Sequence, residues 1–140
     1  MSTPDEWINH LSRDEVRDFL ERHREDDSHQ LSLKYREMEG IPFPVIANQL
    51  RARQKAKDKL PEWYNSPCVI YPPLLNLEQA SSELTAKYKS GIFKGDHLAD
   101  LTGGTGIDTY YLSAGFRQST YVEKEPFLCR LARHNFTCLG

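Results

Sequence analysis

Cysteine is scarce: Cys68, Cys129 and Cys138 are the only three in 140 residues, odd in number and never spaced C-x-x-C. That excludes a disulfide framework and a thiolate zinc site, and it makes a reducing, cytoplasmic setting the expectation. Long apolar runs are missing too. The longest stretch without a charge, residues 63–77, holds three prolines and is too short and too polar to span a bilayer. Residues 1–6 are acidic and no apolar stretch follows them, so no secretory leader is expected. Eight prolines and eight glycines, scattered, rule out collagen-like and low-complexity chains. His10, His23, His29, His97 and His134 show no ligand spacing, and no metal site is expected.

What is present is enough for a core. Apolar residues make up 39% and charged residues 27%, with two Trp and seven Tyr. This length supports one domain, or a small helical unit plus part of another. The net charge of −2 is unevenly spread: residues 51–60 carry five basic side chains and one acid, inside a chain that is otherwise acidic.

The first two thirds read as helices. Ser12 with Glu15 makes a capping box, after which Val16, Phe19 and Leu20 fall on one face. A second short helix is expected over 31–38, stopped by Gly40, Pro42 and Pro44. Residues 45–60 are helical again, with Ile46 and Leu50 inward and the apolar stripe weakening at Gln54, until Pro61 ends it. The aromatic, proline-punctuated stretch 63–73 reads as an ordered connection packed on the core. Asn76 can cap a helix over 77–90, with Gly91 at its left-handed end. After Gly95 the pattern changes to a strand at 97–101, a Thr/Gly turn at 102–106, a helix at 107–113, a strand at 119–123 and a helix from Pro126 to about 136. That is β-α-β-α, the opening of a doubly wound parallel sheet.

The strongest chemical signal lies at the first of those strand-to-helix junctions: Asp100-Leu101-Thr102-Gly103-Gly104-Thr105-Gly106, with Glu123 closing the next strand. Glycines there let a backbone approach a ligand, and an acid after the second strand can accept hydrogen bonds from both hydroxyls of a ribose. A nucleoside-bearing cofactor is implied. The dinucleotide fingerprint is not met, because its third glycine would fall on Thr109, so NAD is disfavoured.

An acid at a strand end followed by D-x-T-G-G-T-G resembles the first motif of class I S-adenosylmethionine-dependent methyltransferases. Tyr121-Val122-Glu123-Lys124-Glu125-Pro126, then Leu131-Ala132-Arg133-His134-Asn135, is similar to that family's second-strand acid and following helix. Upstream, Lys59-Leu60-Pro61-Glu62-Trp63 and the residues from Glu78 to Lys89 resemble the THUMP-like, RNA guanine methyltransferase-related bacterial group. The likeness covers roughly residues 45–140, with Thr102 standing where the usual pattern has its first glycine. It implies that Glu123 holds the adenosine ribose and that Thr102, Gly103, Gly104, Thr105 and Gly106 line the cofactor, with Asp100 organising the turn or meeting the cofactor's ammonium. Asp108 either meets the ligand or simply favours the helix start. Gln79, Ser82 and Thr85 lie near one face of the 77–90 helix and either cover the methionine carboxylate or are solvated. RNA is the implied partner, through Arg51, Arg53, Lys55, Lys57 and Lys59 with Trp63 and Tyr64 stacking on bases, unless the run is only a solvated face.

The family's acceptor-site motif, N/D-P-P-aromatic, is absent, and catalytic residues cannot be assigned; Tyr71-Pro72-Pro73 lies upstream and is a different feature. The expected architecture is a mainly α N-terminal module over 1–94, followed over 95–140 by the truncated start of an α/β Rossmann-like methyltransferase domain. The chain is thus read as an inactive piece of a longer methyltransferase, with exposed sheet edges that favour self-association. Two other classes compete: an RNA- or protein-binding helical module without catalysis, and an NAD-type nucleotide-binding protein.

Overall fold

Residues 43–59 contain no glycine, and their one proline falls in the first turn, where no backbone N–H is needed; they form the longest helix in the chain. The computed structural model describes residues 4–140. In chain order it contains α1 (Pro4–Leu11), α2 (Asp14–Arg22), α3 (Ser28–Lys34), β1 (Glu37–Met38), β2 (Ile41–Pro42), α4 (Phe43–Lys59), α5 (Pro61–Tyr64), α6 (Leu74–Gln79) and α7 (Glu83–Ile92). Then follow β3 (Gly95–Asp100), α8 (Ile107–Leu112), a 3-10 turn (Ser113–Gly115), β4 (Phe116–Tyr121) and α9 (Pro126–Leu139). No helix among the described residues is long and apolar enough to cross a membrane.

α4 serves two cores. Its first half gives Phe43, Ile46, Ala47 and Leu50 to a cluster with Val16, Phe19, Leu31 and Leu131. Its second half presents Ala52 and Ala56 to a cluster with Leu60, Trp63, Leu77, Ala86, Ile107 and Tyr111. The change from large to small side chains explains why the stripe fades at Gln54: that amide points elsewhere and donates to the carbonyls of Arg24 and Asp26, closing the end of the α2 segment. Each core draws on residues both before and after 95.

Several local expectations are corrected. Ser12 does not cap α2; its hydroxyl donates back to the Ile8 carbonyl at 2.6 Å, and Arg13 occupies the cap position without a side-chain bond. The second helix starts at Ser28 because Asp27 accepts from the His29 N–H, and it gives way to a two-residue hairpin at Glu39 and Gly40, both at positive φ. The helix expected over 77–90 is two helices, α6 and α7, broken at 80–82, and Ser82 caps the second through the Thr85 N–H. Gly91 lies inside α7 and not at a left-handed end. The cysteines are corrected as well: Cys68 and Cys138 form a disulfide across 70 residues of sequence, leaving only Cys129 free.

The connection at 63–73 is ordered by side-chain amides. Residues 70–73 belong to no helix or strand, and their backbone groups would be orphaned in the interior. Asn135 instead accepts from the Ile70 N–H and donates to the Ile70 carbonyl. Gln49 does the same for Tyr71, and Asn48 donates to the Pro72 carbonyl and accepts from the Leu74 N–H. Three amide side chains, from α4 and α9, thus imitate the two neighbours a strand would have.

β3 and β4 pair in parallel, with Gly95 opposite Phe116 and Asp100 opposite Tyr121. The second strand lies earlier than the 119–123 its sequence suggested, because Arg117, Gln118, Ser119 and Thr120 are exposed and show no inward alternation. Within this two-stranded sheet each strand keeps one edge unpaired. Leu84, Tyr88, Ile92 and Phe93 of the α7 region are also exposed.

Candidate cofactor site

The β3–β4 ladder continues beyond the strands and builds the site. The Val122 N–H donates to the Asp100 carbonyl at 2.8 Å, and the Gly103 N–H then donates to the Val122 carbonyl at 2.9 Å. This draws the loop at 101–106 alongside the residues following β4. Glu123 is thereby placed beside Gly104, whose N–H donates to its Oε2 at 2.8 Å, while Oε1 accepts from the Glu125 N–H at 3.0 Å. The Glu125 N–H, helped by those of Gly104 and Lys124, holds the Glu123 carboxyl below the usual carboxylate range although desolvation pushes the other way. It is an anion at neutral pH with lone pairs left for further donors.

The loop is fixed from below. Tyr121 donates its hydroxyl to the Gly104 carbonyl, and its ring fills the place of a side chain at Gly103, where a Cβ would overlap Cε2. Gly106 has φ +82°, and a Cβ there would meet Phe136 of α9 at 2.7 Å. Asp100 is spent on the turn: Oδ1 accepts from the Thr102 N–H and Oδ2 from the Thr109 hydroxyl at 2.6 Å. A Cβ on Gly104, in contrast, would find only the Thr102 carbonyl at 3.8 Å, so one face of the loop stays open to a ligand.

That open face borders a cleft of about 250 Å³. Asp100, Thr102, Gly103, Gly104, Thr105 and Asp108 line one side, and Asn76, Gln79, Ala80 and Ser81 the other. Next to it the Lys89 ammonium donates to both oxygens of Asp108 at 3.2 Å and to the Ser81 hydroxyl at 3.1 Å, while Ser81 donates to Asp108 at 3.0 Å. Of the residues anticipated from sequence, Asp100, Thr102, Gly103, Gly104 and Thr105 converge on the cleft, as does Asp108. Gly106 is buried behind them, and Glu123 touches them through Gly104. Thr85 does not join them: it is exposed on α7, where its hydroxyl accepts from the capping Ser82. The break at 80–82 brings half-buried Ser81 and exposed Gln79 to the rim of the cleft in its place. Ser81 and Lys89 escaped the sequence reading, although Ser82 ahead of Glu83 is a legible helix start that would have moved the break to the right place.

A solved structure described as a "putative methyltransferase" from Porphyromonas gingivalis W83 superposes on this chain with a TM-score of 0.76 at 27% identity. The match covers 99% of this chain and 34% of that one, so the chain spans about a third of its neighbour's length. Neither a family model nor a curated protein sequence matches the chain. The fold is methyltransferase-like.

The basic run on α4 is largely engaged within the chain. Arg53 pairs with Glu21 and lies over the Tyr64 ring, Lys55 pairs with Glu78 and Lys57 with Glu25. Lys59 donates to the carbonyls of Leu77 and Glu78, and partial burial lowers its pKa. Arg51 is exposed. Trp63 is fully buried and offers no face to a base.

Proposed function

We propose that this chain supplies one wall of the cofactor site of an S-adenosylmethionine-dependent methyltransferase. The observation that carries the reading is the glycine loop between two parallel strands, with Glu123, two residues past the second strand, bonded to the loop itself. The likeness to a structure described as a methyltransferase supports it. Glu123, anionic and with acceptor capacity left, takes the ribose hydroxyls. The open face of Thr102, Gly103, Gly104 and Thr105 runs beneath the nucleoside and its sulfur-bearing arm, Gly106 keeps the turn, and Asp100 orients the loop from behind. At the amino-acid end of the cofactor, the Ser81–Lys89–Asp108 cluster offers a cation and a hydroxyl for a carboxylate and an anion for an ammonium. Thr85 has no part in this reading.

When bound, the cofactor would supply an electrophilic methyl group; the residues named here only bind and orient it. A cleft of about 250 Å³ falls short of the ~300–1,000 Å³ that complete ligand pockets enclose. Because the chain spans about a third of its structural neighbour's length, this reading assigns the remaining walls, the acceptor site and the reaction to chain beyond these residues and expects no activity from the chain by itself. RNA as the acceptor rests on the sequence resemblance. Because Arg53, Lys55, Lys57 and Lys59 have partners in the chain, Arg51 is the cation of that run best placed to meet a phosphate. The unpaired edges of β3 and β4 support self-association as a further proposal.

The test is titration of the 140-residue chain with S-adenosylhomocysteine, followed by the backbone amide shifts of Thr102, Gly103, Gly104, Thr105 and Gly106. Saturable shifts are expected, weakened at least tenfold by Glu123→Ala, as the loss of a charge-assisted pair of hydrogen bonds requires (about 1.5–3 kcal/mol). Equal affinity in both proteins, or tighter binding of NAD, would refute the assignment.

A further inference from the structure

The Cys68–Cys138 disulfide is not sealed in the interior. Both cysteines are partly exposed, and both line an open cleft of about 360 Å³ whose remaining walls are Arg130, Arg133, His134 and Thr137. Among the described residues no acid lines this cleft, and two guanidinium groups do. His134 belongs to the bridge itself: its Nε2 lies 2.9 Å from the Cys68 carbonyl oxygen and 3.5 Å from Cys138 Sγ. The side chains of Arg130 and Arg133 are exposed on α9, and Arg133 has no ion pair among the described residues.

Disulfides exchange when an incoming thiolate can reach one sulfur and the other can leave as a thiolate, and cationic surroundings favour both. Cys138 Sγ lies 3.5 Å from the imidazole, and its position in the last turn of α9 works against its leaving as a thiolate. That helix end is equivalent to about half a negative charge, set against the guanidinium charge of Arg133 in the same cleft. Buried structural bridges lack such access and such charge.

We propose that the Cys68–Cys138 bridge is a thiol-exchange site for a small anionic thiol, one of whose carboxylates is drawn to Arg133. The thiolate of that molecule attacks Cys68 Sγ. The Cys68–Cys138 bond breaks, a mixed disulfide forms on Cys68, and the electron pair leaves on Cys138 Sγ beside His134, to be protonated from water. A second thiolate then attacks the small molecule's sulfur in the mixed disulfide, releasing the small disulfide and a Cys68 thiolate. Two small thiols are oxidised and one protein disulfide is reduced, so the two electrons balance, and the sequence runs backwards when the small disulfide is in excess. Exchange releases the last turn of α9 from the 63–73 connection.

Reduced glutathione, which carries two carboxylates, and neutral 2-mercaptoethanol are the probes. The oxidised full chain is incubated with each without air, quenched in acid, and analysed by intact mass and peptide mapping. The expected course is a transient adduct on Cys68, then the fully reduced chain. Arg133→Gln should slow reaction with glutathione by about threefold to tenfold and change the reaction with mercaptoethanol less than about twofold. The difference should shrink in ~1 M salt, where screening is nearly complete. Arg133 is exposed, so the variant should fold as the parent does, and Thr137→Ala, which changes the same cleft without changing its charge, should leave both rates alike. Equal slowing with both thiols would overturn the proposal, as would an adduct on Cys138 or Cys129, or the lack of a Cys68–Cys138 peptide in the oxidised chain.

Discussion

Asn135→Ala tests the idea that side-chain amides replace a strand partner at residues 70–74. Asn135 is 1% exposed and Ile70 4%, and the two bonds between them measure 2.9 and 2.8 Å. Truncation leaves the Ile70 N–H and carbonyl both buried without partners. Each such orphan costs about 1–3 kcal/mol, because the group has lost water and gained nothing. The sum, about 2–6 kcal/mol, is a large part of the ~5–15 kcal/mol by which a domain of this size is stable. Urea unfolding of the oxidised protein, followed by the fluorescence of Trp7 and Trp63, reads the difference. With a slope of ~2 kcal/mol per molar, a loss of ~3 kcal/mol moves the midpoint down by ~1.5 M at unchanged slope. Asn135→Asp keeps an acceptor for the Ile70 N–H but loses the donor and buries a charge, so it should be no better than alanine at neutral pH. A loss below ~1 kcal/mol, no larger than that of the exposed control Asn65→Ala, would mean that the segment is held by apolar packing and that the amides merely accompany it.

Gly103→Ala should push Tyr121 off the loop, since its Cβ would overlap the ring. A stability loss of ~1–3 kcal/mol is expected, together with amide shifts throughout 102–106, and Tyr121→Ala in the same chain should restore part of the stability; additive losses would refute the contact. Glu83 gives a pH dependence. Its burial would raise its pKa, but the Lys87 ammonium at 2.5 Å and the Glu62 N–H at 2.9 Å more than offset this and hold it below 4.5. A depressed folded value means that the stability it contributes is complete above the unfolded value and is lost as pH falls through the folded one. Thermal midpoints should therefore fall more steeply below about pH 4.5 in the parent than in Glu83→Gln, and parallel curves would contradict the sign.

How far the sequence could be read depended on the range of the interactions involved. The run from Phe43 to Lys59 was legible because Ile46 and Leu50 obey helical spacing and Pro61 is an unambiguous stop. The loop at 100–106 was legible because glycine at 103 and 106 answers local demands, an aromatic ring underneath and a positive φ. The break at 80–82 was missed because Ala80, Ser81 and Ser82 are all tolerated inside a helix, and only the capping bond from Ser82 to Thr85 decides otherwise. Contacts between distant residues left no local trace. Nothing near Lys89 announces Asp108, nothing near Cys68 announces Cys138, and the basic run on α4 looked free because Glu21, Glu25 and Glu78 lie on other segments.

α9 connects these distant pieces across residue 95. Leu131 enters the core built by α2, α3 and the first half of α4. One turn later Asn135 holds Ile70, and Phe136 sits where a side chain on Gly106 would have to go. Cys138 then ties the end of the helix to Cys68. A single helix is thus fixed by the helical part of the molecule on one side and supports the glycine loop on the other. The geometry of the loop therefore depends on residues far upstream in sequence, and a fragment starting at 95 would keep the motif residues while losing the surface that holds Phe136 against Gly106.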